Sequence, residues 1–328
     1  MKDVGLVGLP FSGKSTLFTA LTKAGAAGGR SNQAVVSVPD PRLAVLTELE
    51  SSRKTVAAQV RFVDVPGATS AQGLAELRVT DALAVVLRAF GGDADPAKEW
   101  NDVTAELLLA DLAVVDSALE NARRRAKGRA GADAGPGVAA LERAHAALSD
   151  ERLLRDVGFS EEDLGHLRSL AALTLKPWIP VANLEEGADA PSGLPEGTVP
   201  VYASIEAETA GMDEAEARDL LAEFGVSEPG LDQVIAASYR ALDLITFLTT
   251  GEDETRAWEV RSGAKAPEAA GVIHTDLERG FIRAEVVGYD DLTGAGGWNG
   301  AKAKGLLRVE GKDYVVREGD ILHVRFNV

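Results

Sequence analysis

Short apolar segments alternate with helix-periodic segments through about the first 110 residues of the chain, and again between about residues 171 and 205. The segments "DVGLVG", "AQVRFVDV", "DALAVVLRAF", "KPWIPVANL" and "TVPVYAS" have the composition of buried strands. The first runs into Gly8, the second ends near Asp64, the fourth closes with Asn183 and the fifth runs to Ser204. Strands that alternate with helices predict an α/β fold with a mostly parallel sheet. Open sheets of this kind bind ligands at the carboxyl ends of their strands, which is where these four residues fall.

A different pattern separates the third and fourth of these strands. The stretches "TAELLLADLAVVDSALENARRRAKG" and "GVAALERAHAALSDERLLRDV" are rich in Ala and Leu, charged and helix-periodic, and "RAGADAGPG" interrupts them. This pattern predicts an antiparallel helical hairpin inserted at about residues 113–170. We interpret its apolar face as the packing of the two helices on each other, with docking of a partner as the alternative.

From about Leu242 onward the chain changes to short alternating strands with Gly and Asp turns, a pattern that predicts a small β-rich domain. Within it, "EGKDYVVREGDILHVRF" indicates a hairpin followed by a final strand. The predicted organisation is an α/β domain at 1–112 and 171–240, the helical insertion at 113–170 and the C-terminal domain at 241–328.

The first strand leads into a phosphate-loop motif, G-x-x-x-x-G-K-[ST], formed by Gly8, Gly13, Lys14 and Ser15. The glycines let successive backbone N–H groups point at phosphate oxygens, and the helix that follows adds its positive end. Lys14 is expected to reach the β and γ phosphates, and Ser15 to offer its hydroxyl to Mg²⁺.

A second strand end supplies the acid that a magnesium-nucleotide site needs. Asp64 in "FVDVPG" is the predicted Mg²⁺ partner, and Gly67 would let the next backbone N–H approach a γ-phosphate. An aspartate at a strand end is also a common turn former, which is the alternative.

The segment "ANLEEG" stands where guanine-specific proteins carry N-K-x-D. Glu186 is one methylene longer than the guanine-reading Asp, and Leu184 replaces the Lys. The segment with Asn183, Leu184 and Glu186 therefore disfavours GTP as the bound nucleotide. Ala203 and Ser204 are expected to flank the base from the next strand end.

Composition narrows the functional classes. A formal net charge of −17 argues against binding of free DNA or other bare nucleic acid by the whole surface, although a local basic patch stays open. The chain has no cysteine and four scattered histidines, which excludes disulfides and thiolate metal sites and disfavours a His-based centre. We find no signal peptide or membrane span and expect a cytoplasmic protein.

Taken together, these motifs resemble the YchF subfamily of Obg-like P-loop ATPases. The resemblance is carried in order along the chain by "GLP..GKSTLF.ALT", "VPDPRL", "FVD..G", "AELLLADL", "LKP...VANLEE", "ASIEAE" and "KAPEAAGVIHTDLERGFI". It implies a Ras-like nucleotide domain, a coiled-coil helical insertion and a C-terminal TGS domain of β-grasp shape. It also implies ATP in preference to GTP through N-x-x-E, and association with ribosomes or RNA.

The resemblance and the motifs together give the expected site. The metal residues are Ser15 and Asp64, and Lys14 is both a binding and a catalytic residue. The nucleotide-binding residues are Gly8, Leu9, Pro10, Phe11, Ser12, Gly13, Lys14, Ser15, Thr16, Gly67, Asn183, Leu184, Glu186, Ala203 and Ser204.

The chain departs from this family at positions that matter for hydrolysis. Phe11 stands where an Asn helps to hold potassium, so activation by K⁺ through this residue is not expected. The switch I segment is shortened, with Ser31 the nearest hydroxyl, and Thr69 falls where the family carries a histidine that helps to position water. Gln72 is the remaining candidate for orienting water. Arg78 is read as a solvated helix residue rather than a catalytic one.

Two functions follow from this reading. The first is an ATP-binding regulator associated with the ribosome, translation or a stress response, with slow or residual hydrolysis. The second is a degenerate adaptor that binds a protein or RNA partner through the helical insertion and the TGS-like domain, with nucleotide structural or vestigial. GTP specificity is a weaker third option. His274 in the C-terminal region is interpreted as a turn-capping residue, and the basic residues there as solvated surface or an RNA-facing patch: Lys265, Arg279, Arg283, Lys302, Lys304 and Arg308.

Overall fold

The alternating segments fold as strands and helices in a computed structural model, which describes residues 1–25, 32–65, 67, 70–127, 135–209, 211–226 and 228–327. The strands are β1 (Lys2–Val7), β2 (Gln33–Ser37), β3 (Thr55–Val56), β4 (Gln59–Asp64), β5 (Ala82–Ala89), β6 (Trp178–Leu184), β7 (Val199–Val201), β8 (Leu244–Thr249), β9 (Thr255–Arg261), β10 (Phe281–Gly288), β11 (Arg308–Glu310) and β12 (Asp320–Phe326).

The helices are α1 (Lys14–Gly25), α2 (Arg42–Glu50), α3 (Ala71–Arg78), α4 (Pro96–Lys127), α5 (Gly135–Ser149), α6 (Glu161–Leu167), α7 (Ala203–Thr209), α8 (Glu214–Glu223), α9 (Gly230–Ala241), α10 (Ala266–Ile273), α11 (Thr275–Arg279), α12 (Tyr289–Ala295) and α13 (Trp298–Ala303). Short 3₁₀ turns lie at Leu154–Asp156, Arg168–Leu170 and Leu173–Leu175.

The first sheet has the strand order β2-β4-β1-β5-β6-β7. Strands β1 and β5, β5 and β6, and β6 and β7 pair in parallel. The central strands β5 and β6 are buried over nearly their whole length, as expected for a parallel sheet covered on both faces. The α/β prediction is therefore confirmed, with the phosphate-loop motif between β1 and α1.

Helices α4 and α5 form the helical hairpin that the periodicity predicts. Arg123 pairs with Glu142 and Asp116 with His145, so the partners run in opposite directions along the two helices. Their apolar faces meet in a core that includes Val115, Leu119, Leu141, Ala144 and Leu148. Helix α4 begins at Pro96, so the expected boundary at residue 113 falls inside it.

The second sheet has the order β11-β10-β12-β8-β9-β3. Strand β10 is antiparallel to β11 and β12, and β8 is antiparallel to β9. The segment "DYVVREG", predicted as a strand, forms only one isolated bridge, between Lys265 and Val315. The predicted hairpin is therefore wrong, and β12 alone carries the final strand.

The chain divides into two units, one with Lys2–Val35 and Arg61–Val234, the other with Met1, Val36–Val60 and Ile235–Val328. Residues 36–60, which the sequence pattern assigns to the α/β domain, thus group with the C-terminal region instead. The reason is packing, because Leu43 and Leu46 of α2 share a core with Leu248 and Ile321 of the second sheet.

Candidate functional site

The phosphate loop is built on close approaches that only glycine permits. A Cβ at Gly8 would lie 2.3 Å from the Val86 carbonyl oxygen. Gly13 has φ +87°, and a Cβ there would lie 2.0 Å from Asn183 Nδ2. Gly8 is therefore required by backbone packing, and Gly13 by its left-handed backbone and its contact with the Asn183 side chain.

Lys14 closes the loop on itself. Its ammonium donates to the carbonyl oxygens of Gly8 and Leu9, both at 2.8 Å. Burial lowers the pKa of Lys14, while the nearby charges of Asp64 and Glu99 oppose that shift. Burial likewise raises the pKa of Asp64, opposed by Lys14. The two side chains thus stabilise each other's charged forms at the mouth of the loop.

The other loop residues differ widely in exposure. Pro10 and Ser15 are exposed, Leu9 and Thr16 are partly buried, and Ser12 is fully buried. Ser12 Oγ has no hydrogen-bond partner among the described residues, so one buried hydroxyl in the loop is left unsatisfied. Phe11 has φ +67° and is 89% exposed, so the ring projects into solvent from a left-handed backbone.

Asn183 joins the loop to the next strand end. Its Nδ2 donates to the Ser12 carbonyl, and its Oδ1 accepts from the Ala203 N–H, both at 3.2 Å. The side chain is 6% exposed. Ala203 begins α7 two residues after β7 ends, so Ala203 and Ser204 lie at a helix start rather than on the predicted strand.

A cavity of about 490 Å³ opens beside the loop. Predicted residues line it together with others that the sequence reading missed: Gly13, Thr16, Phe90, Gly91, Asn183, Leu184, Glu185, Glu186 and Ser204. Its volume lies within the usual range for small-molecule sites. The sequence signal for Phe90 is its place directly after β5, at the same edge of the sheet as the phosphate loop.

After Val65, the structure describes Gly67 and then the chain from Ser70 onward on the switch II side of the site. Gly67 is exposed with φ +59°, and its carbonyl accepts from the Ser70 N–H at 2.7 Å. Gln72 is exposed on α3 and its amide donates to Glu76 at 3.4 Å, so its observed partner lies on its own helix and not in the loop. Ser31 and Thr69 lie outside the described residues.

Arg78 is largely buried and not a solvated helix residue, which corrects the sequence reading. Its guanidinium pairs with the fully buried Asp111 at 2.7 Å and donates to the carbonyls of Ala110 and Ala171. Asp111 also accepts from the N–H and hydroxyl of Thr174. Arg78 therefore neutralises a buried carboxylate that fastens the base of the helical hairpin.

Four of the residues singled out in the C-terminal region have structural partners. His274 Nδ1 accepts from the Asp276 N–H at 3.2 Å and caps α11, as predicted. Lys265 pairs with Asp313, Arg308 with Asp320, and Lys304 donates to the Gly294 carbonyl. Arg279, Arg283 and Lys302 are exposed.

No helix within the described ranges is both long and apolar enough to span a membrane. Residues 3–115 match the family MMR_HSR1, described as a 50S ribosome-binding GTPase. Residues 244–327 match the family YchF-GTPase_C, described as a protein of unknown function.

Full-length relatives agree with these matches. The chain is 42% identical to "Ribosome-binding ATPase YchF" of Haemophilus ducreyi and 41% identical to the protein of that name in Bacillus subtilis, with 99% of each chain covered. Among solved structures it resembles "Structure of the Schizosaccharomyces pombe YchF GTPase", with a TM-score of 0.87, 30% identity, and coverage of 99% of this chain and 97% of that one.

Proposed function

This chain belongs to the YchF family of P-loop proteins, and from that premise we propose that it binds ATP with Mg²⁺, in preference to GTP, and hydrolyses it slowly. The observation that carries the proposal is the phosphate cradle, the loop in which Gly8 and Gly13 permit close packing and Lys14 bonds to the Gly8 carbonyl. A glycine-rich loop of this kind, followed by a lysine, suits a chain of phosphates. The unsatisfied Ser12 hydroxyl in the same cradle fits a polar ligand.

Ser15 and Asp64 are the residues that would hold Mg²⁺ at this site. One is an exposed hydroxyl at the start of α1, and the other a half-buried carboxylate at the end of β4. Oxygen donors of this kind suit the ion. Bound Mg²⁺ supplies positive charge to the β and γ phosphates.

The cavity supports adenine recognition beside the cradle. Leu184 offers an apolar wall, Phe90 an aromatic ring, and Glu186 a carboxylate. Aromatic rings stack on bases of any kind, so the ring supplies affinity and the polar groups supply the choice of base. The Glu186 carboxylate lies one methylene further from the backbone than the Asp carboxylate of guanine-specific sites, so it is a poorer match to guanine. The relatives' names are divided between ATPase and GTPase, so base preference is a point for experiment.

Slow hydrolysis follows from what the described catalytic candidates do. Gln72 is bonded to Glu76, and Arg78 is committed to Asp111. Neither is a group held ready for the attacking water or for charge in the transition state. Among the described residues this leaves Lys14, together with the Mg²⁺ that Ser15 and Asp64 would hold, to position the phosphates, with no described group to activate water.

The relatives are named as ribosome-binding, and we extend that property to this chain, together with a cytoplasmic location. Charge distribution supports the extension. Residues 121–127 at the end of α4, "NARRRAK", hold four basic residues and no acid, in a chain of net charge −17. Arg123, Arg124 and Arg125 are exposed. The first two form surface ion pairs with carboxylates, and such pairs contribute little stability, so these arginines can contact RNA phosphates instead at small cost in free energy.

The second candidate is an adaptor that binds its partner through the helical hairpin and C-terminal region, with nucleotide as a structural ligand. The absence of a described water-orienting group favours it. Ribosome co-sedimentation of the wild type and Lys14→Ala decides between the two functions. Loss of sedimentation in the variant supports a nucleotide-dependent regulator, whereas equal sedimentation supports the adaptor.

Turnover measured in parallel with ATP and GTP tests the enzymatic part. We expect slow release of phosphate from ATP and slower release from GTP. Faster release from GTP would overturn the proposed preference.

A further inference from the structure

Glu206 is a buried carboxylate beside the proposed base site. It lies on α7, two residues beyond Ser204, and is 2% exposed. Its two oxygens bond to separate parts of the chain: Oε1 accepts from the Tyr202 N–H at 3.0 Å, and Oε2 from the Leu231 N–H at 2.8 Å. A charge buried this deeply is retained only where hydrogen bonds compensate its lost hydration.

The packing around Glu206 is specific to this arrangement. A Cβ at Gly230, the first residue of α9, would lie 2.7 Å from Glu206 Oε1 and 2.8 Å from the Pro200 carbonyl oxygen. Gly230 therefore lets the start of α9 approach the carboxylate. Burial raises the pKa of Glu206, although the N–H groups of Leu231, Tyr202 and Gly230 counteract that shift.

Glu206 and Asn183 hold consecutive backbone groups of one turn. Glu206 accepts from the Tyr202 N–H, and Asn183 accepts from the next one, that of Ala203. The following residue, Ser204, is part of the cavity wall. Asn183 also reaches the Ser12 carbonyl in the phosphate loop, so the turn is anchored on one side to the loop and on the other to α9.

We propose that Glu206 is a positioning residue for the nucleobase, which fixes the Tyr202–Ser204 turn so that the cavity accepts the base. This rests on the proposed nucleotide binding at the same site. The phosphate cradle has contacts that do not involve Glu206: Lys14 on the loop carbonyls, the Asn183 amide on the Ser12 carbonyl, and the packing of Gly8 against Val86. Glu206 therefore contributes to the part of the affinity that depends on the base and not to the part that depends on the phosphates.

The test separates these two parts with two probes, ATP and inorganic tripolyphosphate, each titrated with Mg²⁺ by calorimetry. The proteins are the wild type, Glu206→Ala, Glu206→Gln and, as the matched control, Glu208→Gln, which changes an exposed acid on the same helix. We expect Glu206→Ala to raise the Kd for ATP about tenfold or more, the usual order for losing a charged hydrogen-bond acceptor. The Kd for tripolyphosphate should stay within about twofold.

Glu206→Gln keeps the size of the side chain and one acceptor oxygen, so it folds even where the alanine variant does not. It should weaken the affinity for ATP less than Glu206→Ala does and leave the affinity for tripolyphosphate unchanged. Thermal unfolding of each variant sets a temperature at which all are folded. Equal losses for ATP and tripolyphosphate would reduce Glu206 to a general stabiliser and overturn the inference, as would unchanged ATP binding. If the wild type binds tripolyphosphate but not ATP, the proposed function fails, and this inference fails with it.

Discussion

Asn183 Nδ2 donates a hydrogen bond to the Ser12 carbonyl across 171 positions of sequence, at 3.2 Å. The same side chain accepts from Ala203, so one buried amide ties the phosphate loop to the turn that borders the cavity. The proposed phosphate and base sites are therefore linked through the Asn183 side chain.

Gly13→Ala should abolish tight ATP binding. The added methyl group would lie 2.0 Å from Asn183 Nδ2, at a residue with φ +87°, so it would displace the amide that holds the loop. We expect the Kd for ATP to rise by at least about tenfold, or ~1.4 kcal/mol. Gly92→Ala, at a glycine with open space around it, is the control and should bind ATP normally in the same calorimetric titration. Normal binding by Gly13→Ala would mean that the loop tolerates a side chain there.

Arg78→Ala should destabilise the protein without a specific effect on chemistry. It leaves the fully buried Asp111 without its cation, a change that typically costs about 3–5 kcal/mol. Urea unfolding measures the loss, and Arg168→Ala, at an exposed arginine, should change the free energy of unfolding by less than about 0.5 kcal/mol. A stable Arg78→Ala protein with reduced ATP turnover would contradict this and assign Arg78 a role in catalysis.

Phe11→Asn should make ATP turnover respond to potassium. The wild-type side chain offers no oxygen to a cation and sits at φ +67°, where Asn is tolerated better than Phe. We expect equal wild-type rates in KCl and NaCl, a faster rate in KCl for the variant, and a free energy of unfolding that rises by up to about 1 kcal/mol. Potassium stimulation of the wild type would show that another group holds the cation.

Asp81 should contribute stability that is lost in acid. Burial alone raises the pKa of Asp81, but hydrogen bonds from Lys2 Nζ and the Asp3 N–H outweigh it, so the pKa lies below the ordinary 3.8. A carboxyl with a lowered pKa stabilises the fold fully above 3.8, and this contribution disappears as pH falls through the folded-state value. The gap in unfolding free energy between wild type and Asp81→Asn should therefore close at low pH. A gap independent of pH would contradict the assignment.

The sheet, the phosphate loop and the hairpin could be predicted because their signals are local. Spacing identifies Gly8, Gly13, Lys14 and Ser15, and periodicity identifies strands and helices. The start of α4 also had a local signal that was missed, since Asp95 accepts from the Lys98 N–H and Pro96 is the first helical residue.

What could not be predicted depends on packing between distant segments. The pairing of Arg78 with Asp111 and the joining of Ser12 to Ala203 through Asn183 leave no trace in composition or period. The prediction of a strand at "DYVVREG" was wrong for the same reason, because alternation alone does not supply a neighbouring strand to pair with.

Calorimetric titration of Mg-ATP into the wild type and into Lys14→Ala tests the central assignment most directly. The account predicts a saturable heat for the wild type, a weaker one with Mg-GTP, and none for the variant, whose loop lacks the ammonium now bonded to Gly8 and Leu9. A folded wild-type protein that gives no heat with ATP, or that takes GTP more tightly, would contradict it.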